Sequence, residues 1–115
     1  MENKDNIILK LTFEFALEII KYCDVLQEDK KYVIANQLLK SGTSIGANIR
    51  EAQNAESKAD FIHKFKISSK EIEETIYWLE LCEFSENYPS VESLKEQLNT
   101  IAKIVNKIII TSKQK

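Results

Sequence analysis

The sequence predicts an all-α protein that folds as a single up-down-up-down four-helix bundle. Apolar residues recur at spacings of three and four along four long segments, which is the period of an amphipathic helix. The chain has one proline and two glycines among 115 residues, so it offers few turns. Short connections force consecutive helices to run antiparallel. A chain of this length suits one domain, residues 1–115, with a core of its own.

The first helix is predicted over residues 5–26 and carries more apolar surface than one core requires. One apolar row runs from Ile8 to Leu26 at helical spacing. A second row lies beside it and leaves only a narrow polar stripe. Surplus apolar surface of this kind favours burial against another copy of the chain. The candidate interface residues on this helix are Leu9, Phe13, Leu17 and Ile20.

The second helix is predicted over residues 30–54 and contains both glycines, Gly42 and Gly46. Each glycine costs a helix about 1 kcal/mol relative to alanine, so a compensating interaction is expected. A phosphate-binding loop would need a preceding strand and a GxxxxGK[ST] or GxGxxG pattern, and neither occurs. We therefore expect close helix packing. A tight turn near Glu56 places Ser44 opposite Ser68, so the glycines and Ser44 are predicted to lie against the third helix.

The third and fourth helices are predicted over residues 58–84 and 90–112. Ser57 and Asp60 have the spacing of a capping box, which favours a helix start at this point. The segment SENYPS ends the third helix, because proline cannot continue it. The fourth helix has the most regular apolar repeat of the chain and again has apolar surface to spare. Its candidate interface residues are Ile104 and Ile109.

A polar row borders the apolar row of the second helix. If this row is partly buried, each member needs a hydrogen-bond partner, and Ser41 is placed to meet Glu71 of the third helix. Glu71 and Glu74 lie one turn apart, and acid–base chemistry would use such a pair only inside a pocket. We expect a structural or solvated role for both. The polar residues of this region are Ser41, Ser44, Asn48, Glu51, Glu71 and Glu74.

The residue types needed for catalysis or metal binding are too sparse to predict a site. His63 is the only histidine, and Asp60 precedes it by three positions, a spacing that can share a metal on one helix face. A dinuclear carboxylate site would need a second such pair. A nucleophile would need a histidine nearby, whereas Cys82 lies at the opposite end of the third helix from His63. We therefore expect no catalytic residue, cofactor or metal, and no enzymatic activity.

The cysteines and the N-terminus favour a cytoplasmic protein. Cys23 and Cys82 belong to no metal-ligand motif and are expected to be free, reduced thiols. Helices one and three run parallel, so both cysteines share one end of the bundle, where oxidation could pair them. The N-terminus has no small-residue cleavage site, and no stretch approaches the ~18 apolar residues of a membrane span.

The charge of the chain argues against a global attraction to nucleic acid. The formal net charge is −2 and the isoelectric point is near 5.5. A local basic patch could still form around the turn between helices two and three, and symmetric assembly would multiply it. Lys95, Lys103 and Lys107 of helix four are interspersed with acidic and amide residues and predict no clear patch. The candidate nucleic-acid contacts are Arg50, Lys58, His63, Lys64, Lys66 and Lys70.

The segment SGTSIGANIREAQNAESKADFIHKFKISSKEIEETIYWLELCE resembles the signature of the four-helix-bundle family named for 23S rRNA intervening-sequence proteins. Its most specific parts are S-I-x-x-N-I-x-E from Ser44, DFIHKFKIS from Asp60, and E-x-x-E-T-x-YWLEL from Glu71. The resemblance implies small bacterial bundles that assemble as homopentamers, often without a known biochemical role. For a subset associated with diversity-generating retroelements, it implies nucleic-acid binding as an accessory of a reverse transcriptase.

Two functional hypotheses follow. The first is a non-catalytic bundle that self-associates, as a pentamer, through the surplus apolar faces of helices one and four. It would act as a scaffold or binding module, with no small-molecule substrate and no membrane contact. The second is an RNA-binding or reverse-transcriptase-accessory protein that uses the basic residues around the turn between helices two and three. The molecular mass in solution and a salt-dependent gel shift discriminate between them.

Overall fold

Four antiparallel helices make up the fold. A computed structural model describes residues 4–114, with side chains from residue 7 onward, and no strand occurs among these residues. Helix α1 spans Lys4–Glu28, α2 spans Tyr32–Ala52, α3 spans Lys58–Glu83 and α4 spans Glu92–Gln114. The predicted all-α four-helix bundle is confirmed. Each predicted helix end lies within two residues of the observed one, because the capping and turn residues are local signals.

Each helix packs against two neighbours. Contacts join α1 with α2, α2 with α3, α3 with α4, and α4 with α1. Among residues 4–114, no Cα of α1 lies within 8 Å of a Cα of α3. The rod formed in this way measures 47 × 24 × 22 Å. Helices α1 and α3 therefore occupy opposite corners of the bundle and have outer faces that point in different directions.

One apolar row of each helix forms the core. The buried side chains recur at spacings of three and four, as the sequence period predicts. Burying a side chain of this size contributes about 1.5–3 kcal/mol, so these rows supply most of the stabilisation. The largest fully buried side chains are Ile8, Phe15, Ile19, Leu26, Leu38, Ile45, Ile49, Phe65, Leu79, Leu98, Ile101 and Val105.

The start of α3 is fixed by the predicted cap. Ser57 has an extended backbone, and its side chain accepts a hydrogen bond from the Asp60 amide at 3.0 Å. The Asp60 carboxylate in turn accepts from the Glu56 amide at 3.3 Å. These bonds satisfy backbone donors that a helix start leaves unpaired. The turn after α2 is consequently short, which sets α2 and α3 side by side along their whole length.

The two glycines lie closest to α1, whereas the turn geometry placed them against α3. A Cβ atom placed on Gly42 would be 2.9 Å from Cγ1 of Ile19. A Cβ atom on Gly46 would be 3.1 Å from Oγ1 of Thr12. Residues four apart share a helix face, and this face of α2 is turned toward α1. Close approach of α1 and α2 is therefore what the missing side chains permit.

None of the helices within residues 4–114 combines the length and the apolar character that a membrane span requires.

Candidate functional surfaces

Hydroxyl groups join α2 to α3. Ser68 is fully buried and donates a hydrogen bond to the Ile45 carbonyl at 3.0 Å. The hydroxyls of Thr75 and Ser41, also buried, lie 3.0 Å apart. Thr75 bonds in addition to the Glu71 carbonyl at 2.7 Å. Small side chains and inter-helix hydrogen bonds therefore hold these two helices in one register.

The predicted polar row does not form one network. Ser41 meets Thr75 and not the Glu71 carboxylate. Ser44 donates a hydrogen bond to the Lys40 carbonyl of its own helix at 2.7 Å. Asn48 likewise donates within α2, to the Ser44 carbonyl at 2.9 Å. Ser44 and Asn48 thus bond within α2, while Ser41 joins α2 to α3.

The acidic members of that row have separate surroundings. Glu51 forms an ion pair with Lys64 at 3.0 Å, which joins the end of α2 to the start of α3. Glu74 accepts a hydrogen bond from the Trp78 indole at 3.1 Å. Partial burial, followed by the nearby Glu74 charge, raises the pKa of Glu71, and Lys40 opposes the shift. The Glu71 carboxylate therefore carries an unfavourable desolvation cost when it is ionised.

Helix α1 has an apolar strip on the outside of the bundle. The strip consists of Phe13, Leu17 and Ile20, whose side chains are 52%, 44% and 41% exposed. Their spacing of four and then three keeps them on one helix face. The Arg50 guanidinium of α2 lies 5.8 Å from the centroid of the Phe13 ring and borders the strip. We refer to Phe13, Leu17 and Ile20 as the α1 strip.

The other interface candidates are packed within the chain. Leu9 of α1 is partly buried against the core. Ile104 and Ile109 of α4 are also partly buried there. The apolar surplus expected on α4 is therefore largely used inside the bundle, because α4 lies against both α1 and α3. Only Ile110, which is 57% exposed, leaves a large apolar side chain of α4 open among the described residues.

The basic residues around the turn between α2 and α3 do not form one surface. Arg50 faces α1, where it lies over the Phe13 ring. Lys64 is held by Glu51, and the pair raises the pKa of Lys64. His63, Lys66 and Lys70 lie on the exposed outer side of α3, and Lys58 lies at the start of that helix. The predicted patch is thus divided among three faces of the bundle.

A different lysine group forms where the first half of α3 meets the second half of α4. The neighbouring Lys113 ammonium lowers the pKa of Lys66, so two positive charges converge between these helices. Helix α4 has no acidic residue after Glu96 in the part that the structure describes. We define the lysine face as Lys66, Lys70, Lys103, Lys107 and Lys113, all exposed and none ion-paired with a described residue.

Sequence reasoning missed this face because its α3 members and its α4 members are 33 or more residues apart along the chain. Within α4 alone, the three lysines look like an ordinary solvated set. The antiparallel pairing of α3 with α4 is what adds Lys66 and Lys70 to them. The signal that could have found it is the absence of acidic residues from the second half of α4.

Charge is strongly separated along the rod. One half of the rod contains nine basic and four acidic residues; it consists of residues 7–14, 43–70 and 103–114. The other half contains twelve acidic and five basic residues; it consists of residues 15–42 and 71–102. The halves therefore differ in sign, although the net charge of the whole chain is only −2. Electrostatic steering depends on such local fields rather than on net charge.

The outer side of α3 presents six exposed residues in a heptad-like row. Their spacing alternates between four and three, which is the repeat of a helix-packing stripe. The row begins with two lysines, and its other four residues alternate between acidic and aromatic side chains. Tyr77 is 55% and Phe84 is 83% exposed. We define the α3 outer row as Lys66, Lys70, Glu73, Tyr77, Glu80 and Phe84.

The two cysteines are buried at the same end of the rod. Cys23 is 1% and Cys82 is 2% exposed. Burial, followed by the Cys82 charge, raises the pKa of Cys23 to about 12. A disulfide needs Cα atoms about 4.4–6.8 Å apart, whereas α1 and α3 stay more than 8 Å apart at every Cα pair. The pairing considered from the sequence therefore cannot form without movement of the backbone.

One hollow of the surface lies away from His63. Its volume is about 510 Å³, and it lies between the α3–α4 connection and α4. Its wall includes an ion pair of Lys95 with Glu83 at 2.6 Å. His63 lies in the other half of the rod. Among the described residues, no group of three or more His, Cys, Asp or Glu side chains is arranged to hold a metal ion.

Comparisons with known proteins agree with this architecture. A crystal structure of a protein of unknown function, from the S23 ribosomal protein family of Bacteroides thetaiotaomicron VPI-5482, is 44% identical to the chain. The match covers 93% of this chain and 98% of that one, with a TM-score of 0.87. The comparison with curated proteins gives no match. The family model of the 23S rRNA-intervening sequence protein matches residues 4–109. The chain therefore belongs to the 23S rRNA-intervening sequence protein family.

Proposed function

We propose that this chain is a non-catalytic, self-associating module of the cytoplasm that serves as a scaffold or binding unit. It assembles with copies of itself through the α1 strip. The observation that carries the proposal is the exposure of Phe13, Leu17 and Ile20 in one row on the outside of α1. Apolar residues in a continuous row on an outer face are typical of protein interfaces. The family resemblance adds the stoichiometry, a homopentamer.

The bordering Arg50 supports an interface at this face. Arginine and aromatic side chains are enriched where interfaces are buried, and a guanidinium over a ring gains from desolvation. Phe13 and Arg50 already lie in this arrangement. A shallow hollow of about 230 Å³ lies between them and Gly46, which could receive a side chain from another copy.

The test is the molecular mass in solution, measured by light scattering and sedimentation. We expect the wild-type chain to exceed the monomer mass and Leu17→Glu to lower the assembly state, because a carboxylate cannot be buried in an apolar contact. Val33→Glu is the matched control, since Val33 is 74% exposed on α2, away from the strip. A wild-type monomer, or equal effects of both substitutions, would contradict the proposal.

A second candidate function is nucleic-acid binding, and the lysine face favours it. Five exposed lysines without a described carboxylate partner leave their charge available to phosphates. An acidic protein could bind a polyanion in this way, because most of its carboxylates lie in the other half of the rod, away from the lysine face. It also includes Lys66 and Lys70 of the residues that the sequence suggested. The partner in this candidate is RNA, alone or with a reverse transcriptase.

A gel shift with RNA at low and moderate salt tests this candidate. Because released counterions drive such binding, affinity should fall steeply as salt rises. Lys103→Glu combined with Lys107→Glu should weaken binding, whereas Lys21→Glu and Lys30→Glu together should not, since these lysines lie in the acidic half. Absence of any shift at low salt would exclude the candidate.

A further inference from the structure

The α3 outer row is a surface that neither proposed function uses as a whole. All six of its residues are exposed, including two large aromatic rings at Tyr77 and Phe84. It lies on the corner of the bundle opposite α1, so it is separate from the α1 strip. A regular row with exposed rings at heptad spacing is the pattern of a helix that packs against another helix.

The order of charges along the row indicates which partner would bind it. Lys66 and Lys70 lead the row, and Glu73 and Glu80 follow. A second α3 laid parallel to the first would oppose lysine to lysine and carboxylate to carboxylate. A second α3 laid antiparallel would oppose unlike groups along the whole row. The row is thus complementary to itself under a two-fold axis, which is the requirement for an isologous contact.

We infer that two copies of this chain associate through their α3 outer rows, antiparallel, about a two-fold axis between Glu73 and Tyr77. The opposed groups then match chemically. An ammonium group faces an aromatic ring, an ammonium faces a carboxylate, and a carboxylate accepts from a phenol hydroxyl. The opposed pairs are Lys66 with the partner's Phe84, Lys70 with the partner's Glu80, and Glu73 with the partner's Tyr77.

The charges at the two ends of the row support the same contact. Each copy holds two adjacent ammonium groups, Lys66 and Lys113, at the start of the row, and the repulsion lowers the pKa of Lys66. The opposite end of the row carries Glu80 and Glu86 beside the exposed Phe84, while Glu83 pairs with Lys95 of α4. The antiparallel contact places that acidic end against the two ammonium groups. The like-charge cost within each copy is offset by the charge of the partner.

Charge reversal tests the contact in a chain that lacks the α1 contact, Leu17→Glu. In this background we expect a dimer at low salt that dissociates as salt rises. Reversal of the basic half, Lys66→Glu with Lys70→Glu, should give a monomer. Reversal of the two acidic residues of the row, Glu73→Lys with Glu80→Lys, should also give a monomer. An equimolar mixture of the two reversed chains should form a heterodimer, because every opposed charge is then complementary again.

The matched control is Lys103→Glu with Lys107→Glu in the same background. It changes the net charge as much as the basic-half reversal, in the same half of the rod, but outside the row. It should leave the dimer intact, and circular dichroism should show every variant folded. A monomeric Leu17→Glu chain at low salt, a mixture that stays monomeric, or a control that dissociates would overturn the inference.

The same measurements separate this inference from the proposed α1 assembly. A large assembly that falls to a dimer on Leu17→Glu supports both contacts. An assembly that falls to a monomer supports the α1 strip and rejects the α3 contact. A wild-type dimer that Leu17→Glu leaves unchanged supports the α3 contact and rejects the α1 strip.

Discussion

At the scale of single residues, Gly42 sets how closely α1 and α2 approach. The Ile19 side chain occupies the space beside Gly42 that a larger residue would need. Its nearest atom would lie only 2.9 Å from a Cβ added to Gly42. Real Cβ atoms avoid such distances, and Ile19 is fully buried in a closely packed core. The helix cost of a glycine is therefore offset by close packing of the two backbones.

Gly42→Ala is expected to destabilise the bundle. Alanine gains about 1 kcal/mol of helix propensity, while overpacking a filled core costs about 1–3 kcal/mol. Urea unfolding should show a lower free energy of unfolding. In a double-mutant cycle, Ile19→Ala should reduce the penalty, because the added methyl group then fills vacated space. A more stable Gly42→Ala chain would show that α1 can move away at little cost.

Glu71→Gln is expected to stabilise the chain near neutral pH. Partial burial raises the pKa of this carboxyl in the folded chain, so ionisation lowers the stability of the native state. Folded wild-type chains bind the proton more tightly than unfolded chains, so their stability rises as pH falls through this pKa. The advantage of the glutamine should therefore shrink on acidification. Thermal unfolding at several pH values checks this, with Glu14→Gln, an exposed change on α1, as control.

At the scale of elements, Tyr22 joins α1 to the connection between α3 and α4. Its hydroxyl donates a hydrogen bond to the Pro89 carbonyl at 2.8 Å. Burial, followed by the nearby Cys82 charge, raises the pKa of the phenol above its ordinary value. The proline that ends α3 in sequence thus also supplies an acceptor that fixes how the connection crosses the end of the rod.

Tyr22→Phe should lower the free energy of unfolding by about 1 kcal/mol, because one partly buried hydrogen bond is lost while the ring is kept. The corresponding fall in melting temperature is about 4–8 °C for a small domain. Tyr32→Phe is the control, since Tyr32 is 53% exposed. Equal melting temperatures of the two variants would mean that the hydroxyl–carbonyl bond contributes nothing.

The helices themselves were predictable from sequence, and their rotation about their own axes was not. Period and caps are local, so Ser57 and the proline segment located the helix ends. Which neighbour a face meets depends on the tilt of both helices and on every side chain between them. That is why Gly42 was matched with α3 and lies against α1, and why Ile104 and Ile109 looked like surplus.

At the scale of the whole molecule, the thiols report on global unfolding. Both are almost fully buried, and the pKa of Cys23 is raised to about 12. A raised folded pKa means that the stability from the neutral thiol is complete below the unfolded value and is lost as pH rises toward 12. We expect both thiols to resist alkylation in native buffer and to react in denaturant. Mass spectrometry of alkylated protein measures this, and rapid labelling of native protein would contradict it.

The candidate surfaces differ in how far they could be predicted from the sequence without the folded structure. The α1 strip was predictable, because its three apolar residues share one helix with a second complete apolar row. The lysine face was not, since it exists only where two antiparallel helices bring distant lysines together. Arg50 and Lys64 were grouped with Lys66 and Lys70 because they are near in sequence, but their side chains contact Phe13 and Glu51 on other faces.

The separation of charge along the rod makes this molecule a large permanent dipole. Opposite ends of a 47 Å body carry opposite surpluses, so neighbouring molecules in dilute buffer attract one another end to end. Added electrolyte shields that attraction within a few ångströms to about 10 Å. The protein should therefore show salting-in: its solubility should be lowest in the most dilute buffers. We expect this even at neutral pH, where the formal net charge is −2.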